Sequence, residues 1–276
     1  RANEGEAQQN RVVGSKLAEI HQRRFGEGSL PLAVRYVTGW TRDQKIKKLR
    51  ADTLNALAIS LRTKKETCDR ATEVYREAMT IYKELGDRRS ESVVLGGLGV
   101  VAFTLGSGPG MIEYAKQALA IRQEVDDRQL IGNSFNDIGV AYYSFLRDNS
   151  NAVFYYQKAE SARTAIGDNV ALSRSLLAIA QAYEKMGQLT LAIMYFQKAA
   201  QLSSKLGNKG SVATSLYDCA RLYTRIGRYR EALQILEEVR SVTTGLPDKK
   251  LAANILNQRG ILYRELGELT LALADY

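Results

Sequence analysis

One phrase returns along the chain at an almost constant interval, and that interval constrains the fold more than any other feature. "LGD" at Leu85–Asp87, "VDD" at Val125–Asp127, "IGD" at Ile166–Asp168, "LGN" at Leu206–Asn208 and "LPD" at Leu246–Asp248 are spaced by 40, 41, 40 and 40 residues. Gly, or Asp and Asn where Gly is missing, suits the left-handed residue that ends a helix, and the Asp or Asn after it caps the next one. A period of this length marks an array of repeated supersecondary units, each too small to bury its own faces.

Each unit holds two amphipathic stretches. In the second, a small residue stands at Ala71, Ala152, Ala192, Ala232 and Ala272, with Met111 in the remaining slot. Four residues on come Tyr75, Ala115, Tyr156, Phe196, Leu236 and Tyr276, and three further Ala78, Ala118, Ala159, Ala199 and Val239. Positions i, i+4 and i+7 share one helix face. The first stretch has its own small position at Ala58, Gly99, Gly139, Ala180, Ala220 and Gly260, followed three on by Leu61, Ala102, Tyr142, Tyr183, Tyr223 and Tyr263. A turn glycine follows at Gly106, Gly187, Gly227 and Gly267, while Lys65 and Leu146 depart from it.

This pattern resembles the tetratricopeptide repeat, in the forty-residue variety of kinesin light chains, Pins-type regulators, maltose-regulator-type activators and bacterial arrays linked to CHAT peptidases. "GNSFNDIGVAYY" and "ALAIRQEVDDR" look most like the last group. The family's early tryptophan is absent, since Trp40 falls outside the register. The resemblance implies an all-α fold, a right-handed superhelical solenoid of antiparallel helix pairs. Six repeats are expected at about 48–87, 88–127, 128–168, 169–208, 209–248 and 249–276. Residues 1–47 are expected to be a divergent helical segment, either a degenerate repeat ("LAEIH" at Leu17–His21, Gly26, "LPLAVRY" at Leu30–Tyr36) or a cap.

Other chemistries find little support. His21 is the single histidine, and Cys68 and Cys219 are the two cysteines, so no His/Cys metal set can be built. Cys219, beside the small Ala220, reads as a structural thiol. Ser92–Ile112 is uncharged for 21 residues, but six glycines and Pro109 argue against a membrane span. "GSGPG" at Gly106–Gly110 lacks the strand and lysine of a phosphate loop and reads as a widened turn. The series Tyr142, Tyr183, Tyr223, Tyr263 shares its face with the small residues and reads as packing. The net charge of +9 concentrates in residues 1–50, with 11 Lys/Arg against 5 Asp/Glu, and in 201–250, with 9 against 5. A solvated basic face accounts for it; nucleic-acid binding through the basic ends is the third-ranked function.

In tetratricopeptide arrays the first helices line a concave groove, which points to positions just before and after the small residue. The candidate groove residues are Asn55, Phe103, Asn136, Tyr143, Leu177, Gln181, Tyr217, Arg221, Arg225, Asn257 and Arg264. Asn both donates and accepts along a peptide backbone, aromatic and aliphatic side chains anchor, and Arg221, Arg225 and Arg264 could pair an acidic ligand group. They do not match the Lys/Asn/Arg clamp of chaperone-binding relatives. The leading expectation is a non-catalytic module, without cofactor or metal, that binds a partner peptide or helix. The alternative is a regulatory or sensor domain controlling a fused effector, a CHAT-type peptidase or a transcription regulator. A cytoplasmic location and no membrane association go with either. "GELTLALADY" at Gly267–Tyr276 restates "GQLTLAIMYF" at Gly187–Phe196 and stops before the last small position, so a longer protein cut within a repeat is expected.

Overall fold

The computed structural model describes residues 40–243 and 249–276, with the side chains of 249–251 left out. The expected N-terminal cap, His21 and the turn at Pro247 lie outside the described residues. The first helices are α1 (Arg42–Leu61), α2 (Cys68–Leu85), α3 (Arg88–Thr104), α4 (Gly108–Glu124) and α5 (Arg128–Ala141), with a 3-10 turn at Lys65–Thr67. A π-helical turn, Tyr142–Leu146, precedes α6 (Asn149–Ala165), α7 (Asn169–Lys185), α8 (Leu189–Lys205), α9 (Lys209–Arg225), α10 (Tyr229–Thr243), α11 (Lys249–Glu265) and α12 (Leu269–Asp275). No strand occurs among the described residues. The chain forms two units, divided between Ala141 and Tyr142. Within each, consecutive helices pack on one another, as the all-α solenoid reading requires.

The turn phrases act as the spacing predicts. Gly86, Gly167 and Gly207 adopt φ of 67°, 69° and 68°, and Asp126 stands in for glycine at 49°. Asp87, Asp127, Asp168 and Asn208 then each accept the backbone N–H three residues on, at 3.0 to 3.1 Å. Both turns within a repeat that lack the glycine are irregular: the one at Leu146 places Arg147 at φ 53° just after the π-helical turn, and the one at Lys65 holds the 3-10 turn. "GSGPG" is a correction. It is no wider than its counterparts: Gly106 alone is left-handed, the Ser107 hydroxyl accepts from Gly110 N–H, and Gly108 already begins α4 with Pro109 in its first turn.

The repeated small and bulky positions are the core. Ala58, Ala71, Ala78, Ala118, Ala152, Ala159, Ala180, Ala192, Ala199, Ala220 and Ala232 are all fully buried. Tyr75, Phe196 and Leu236 are buried with them, while Tyr276 remains 62% exposed. Glycine permits two close approaches. A Cβ on Gly97 would lie 2.4 Å from the Tyr75 ring, and one on Gly260 would lie 2.9 Å from the Tyr276 ring.

Polar staples join the helices of each unit. In the first, buried Arg122 donates to the Ser134 hydroxyl at 2.6 Å and to the carbonyls of Leu130 and Ser92, both at 3.1 Å. In the second, Arg163 makes the corresponding bonds to the Ser175 hydroxyl and the Ala171 carbonyl. One repeat later Ser203 takes the arginine's place and shares a hydrogen bond with Ser173.

Candidate functional site

The odd-numbered helices carry the candidate groove residues, except Tyr143, which lies on the π-helical turn after α5. None of these residues is buried: Asn55, Asn136, Tyr143, Leu177, Tyr217 and Arg221 are half-buried, and Phe103, Gln181, Arg225, Asn257 and Arg264 are exposed. The pattern that buries one helix face for packing leaves this second face open.

In the second unit the face on α7, α9 and α11 is tied together by side chains. Both Nη atoms of Arg221 on α9 grip the Glu184 carboxylate on α7, at 2.7 and 2.8 Å. Arg225 Nη1 reaches the same carboxylate at 3.0 Å, and Asp218 Oδ1 lies 3.4 Å from Arg221 Nη2. Gln258 on α11 donates to the Thr224 hydroxyl of α9 at 3.1 Å, carrying the ties to the next odd-numbered helix. Arg264, by contrast, pairs with its neighbour Glu265 at 2.9 Å.

Electrostatics follow from these contacts. The hydrogen bond from Arg221 holds Glu184 below the usual carboxylate range, and the bond to Glu184 raises Arg221 in turn. Burial raises Asp218, partly offset by Arg221. Burial also raises the phenols of Tyr217 and Tyr143; Glu184 adds to the rise at Tyr143, so its charge is felt at the π-helical turn. Tyr143, Tyr217, Arg221 and Arg225 are therefore brought into one electrostatic neighbourhood. Leu177, Gln181 and Asn257 lie on the same helices, without a polar tie to it among the described residues.

Sequence reasoning selected the two arginines but not Glu184, Asp218, Thr224 or Gln258. It offered both arginines to an acidic ligand, whereas Arg221 is taken up internally by Glu184. The signal was present: an acid four residues after one small position faces a base one residue after the next, across 37 residues. In the first unit, Asn55 on α1 is half-buried with Oδ1 lacking a hydrogen-bond partner among the described residues. Phe103 on α3 is 42% exposed, and Asn136 lies on α5.

The other candidates are structural. Tyr142 stacks on Tyr155 at 5.6 Å and Tyr183 packs on Tyr195 at 5.5 Å, placing these rings against even-numbered helices. Cys68 and Cys219 are free and buried, and burial pushes the Cys219 thiol up to about 12. Among the described residues no group of three or more His, Cys, Asp or Glu could hold a metal ion, and no helix is long and apolar enough to cross a membrane.

A family model of the tetratricopeptide repeat matches residues 172–244, a span covering most of α7 through α10. Over that span the chain carries tetratricopeptide repeats. Solved tetratricopeptide-like structures share the fold. BtubC from P. vanneervenii is 16% identical, with a TM-score of 0.65 over 78% of this chain and 87% of that one. PH0952 from Pyrococcus horikoshii, a signal-transduction ATPase with a tetratricopeptide repeat sensor, is 16% identical, with a TM-score of 0.69 over 95% of this chain and 41% of that one. NprR in complex with its cognate peptide NprX is 12% identical, with a TM-score of 0.52 over 100% of this chain and 76% of that one. Comparison with curated protein sequences finds no match. Tetratricopeptide scaffolds are in general interaction modules.

Proposed function

We propose that this tetratricopeptide array is a protein-interaction module whose open face on the odd-numbered helices holds a segment of a partner protein. The supporting observation is the tied surface of α7, α9 and α11. Arg221 on Glu184 and Gln258 on Thr224 fix the side chains of three helices before any ligand arrives. Half-buried Leu177 and Tyr217 supply apolar area on the same helices. A face whose rotamers are already fixed loses less entropy on binding, so its contacts convert more fully into affinity. Asn55, Phe103 and Asn136 are the corresponding candidates in the first unit. NprR, a structural neighbour, is solved with a peptide bound.

Selection of phage-displayed peptides against the whole chain tests this reading. Selected peptides should lose at least about tenfold in affinity to the Tyr217→Ala/Gln181→Ala variant, in line with removal of an aromatic anchor. Binding unchanged in that variant and in Asn136→Ala would refute the groove assignment.

A second reading, a sensor module within a larger regulator, is favoured by the likeness to PH0952, whose tetratricopeptide repeat portion is a sensor. Reading the coding sequence on both sides of this chain tests it: an effector domain before Arg1 or after Tyr276 would support the reading, and finding none on either side would remove it.

A further inference from the structure

We propose that Arg225 reads an acidic side chain, Asp or Glu, in the bound segment, and that Glu184 and Arg221 hold Arg225 in place without touching the ligand. This rests on the reading of the α7–α9–α11 face as a peptide-binding surface.

The argument begins with what is already used. Glu184 Oε1 accepts from Arg221 Nη1 and Arg225 Nη1, and Oε2 accepts from Arg221 Nη2. Its side chain is only 15% exposed. Arg221 has both Nη atoms on that carboxylate and a second acid, Asp218, beside it. An incoming carboxylate would have to displace one of these acids to reach Arg221, giving up either the bidentate Glu184 pair or the Asp218 contact beside it. Arg221 is thus a poor ligand contact despite its charge.

Arg225 differs on each count. Its side chain is 47% exposed, and Nη1 alone is engaged, at 3.0 Å. Its Nε and Nη2 make no hydrogen bond among the described residues, so one donor edge of the guanidinium remains open. That edge has the two parallel N–H groups that fit a carboxylate. The bond to Glu184 restricts the rotation of a long side chain that would otherwise lose entropy on binding.

Charge favours the same ligand. Arg221, Arg225 and Lys185 all act on Glu184, while the acids of the cluster are Glu184 and Asp218, which leaves one positive charge in excess. Asp218 is 19% exposed and lies against Arg221, so a basic ligand residue approaching it would meet the arginines as well.

The test uses the full chain and a cellulose-bound array of nonapeptides in a Leu/Ala/Asn background. Each peptide carries Glu, Gln or Lys at one varied position. The expected result is about 10- to 100-fold stronger retention on the best Glu peptides than on their Gln counterparts, the range for a hydrogen bond to a charged group. Arg225→Gln should equalise Glu and Gln while keeping the Gln signal. Arg225→Lys, which keeps the charge and loses the fork, should retain part of the preference. Glu184→Gln, with its fold checked by thermal unfolding, should reduce the preference by loosening Arg225. A Glu preference that survives Arg225→Gln, or a preference for Lys peptides, would overturn the proposal while leaving a peptide-binding face intact. Failure of every peptide to retain the chain would instead sink the groove reading, and this inference with it.

Discussion

Gly97 on α3 offers the sharpest test of the packing. Replacing a helical glycine by alanine ordinarily stabilises by about 1 kcal/mol, because alanine loses less backbone entropy. Here the added Cβ would stand 2.4 Å from Tyr75 Cζ, 2.5 Å from its hydroxyl oxygen and 2.8 Å from Cε1. Carbon atoms settle at about 3.5–4.0 Å, so the shortfall exceeds roughly 1 Å. The ring cannot swing aside cheaply: Tyr75 is fully buried and its hydroxyl accepts from Arg62 Nη1 at 3.3 Å. Overpacking costs about 1–3 kcal/mol, and a shortfall this large belongs at the upper end. The clash therefore outweighs the propensity gain, and Gly97→Ala should lose about 2 kcal/mol in urea-induced unfolding. In a Tyr75→Leu background the same change should cost little or become stabilising. Gly210, whose Cβ would meet only Asn208 Oδ1 at 3.7 Å, is the control, and its alanine variant should gain a few tenths of a kcal/mol. A Gly97→Ala protein as stable as the parent, or one equally destabilised in both backgrounds, would refute this reading of the first unit.

Arg122→Met should cost about 1–3 kcal/mol in the same assay, because it strands buried neutral acceptors on Ser134, Leu130 and Ser92; adding Ser134→Ala should cost less than the two single changes summed. Glu184 is held below its ordinary pKa by Arg221, so its contribution is present above the unfolded carboxylate value near about 4.3 and fades as pH falls through the folded value. The stability difference between the parent and Glu184→Gln should accordingly shrink from pH 7 to pH 3, and a difference that stays constant would contradict the pairing; taking the difference separates Glu184 from Asp218, which burial shifts the opposite way. Cys219, its thiol pushed up to about 12, should react with a thiol reagent at neutral pH only after denaturation, as followed by absorbance. The basic surface should not retain nucleic acid at low salt; retention that falls steeply as salt rises would revive that reading.

The arrangement of helices was legible in the sequence because it is local. A left-handed residue followed by an Asp or Asn cap ends one helix and starts the next, whatever packs above. A small residue, a bulky one four positions on and a small one seven on share a face in any α-helix. Ala58, Ala152, Ala192 and Ala232 could therefore be assigned to the core from spacing alone, and the structure buries them fully. The candidate face was legible only as a stripe, since the same periodicity says which side of a helix is left open.

What the tertiary structure decided is which members of that stripe are committed to one another. Arg221 and Arg225 read alike along the chain, each a base on an exposed helix side. They differ because the packing of α7 against the next repeat brings Glu184 within 2.7 Å of one and leaves the other half in solvent. Gly97 is similar: its sequence neighbourhood marks a helix interior, and only the Tyr75 ring from α2 shows why a side chain is excluded. Periodicity is a property of a single helix and survives in the sequence. Contact between residues some forty positions apart depends on how far one helix pair is translated past the next, and no single stretch of residues encodes that distance.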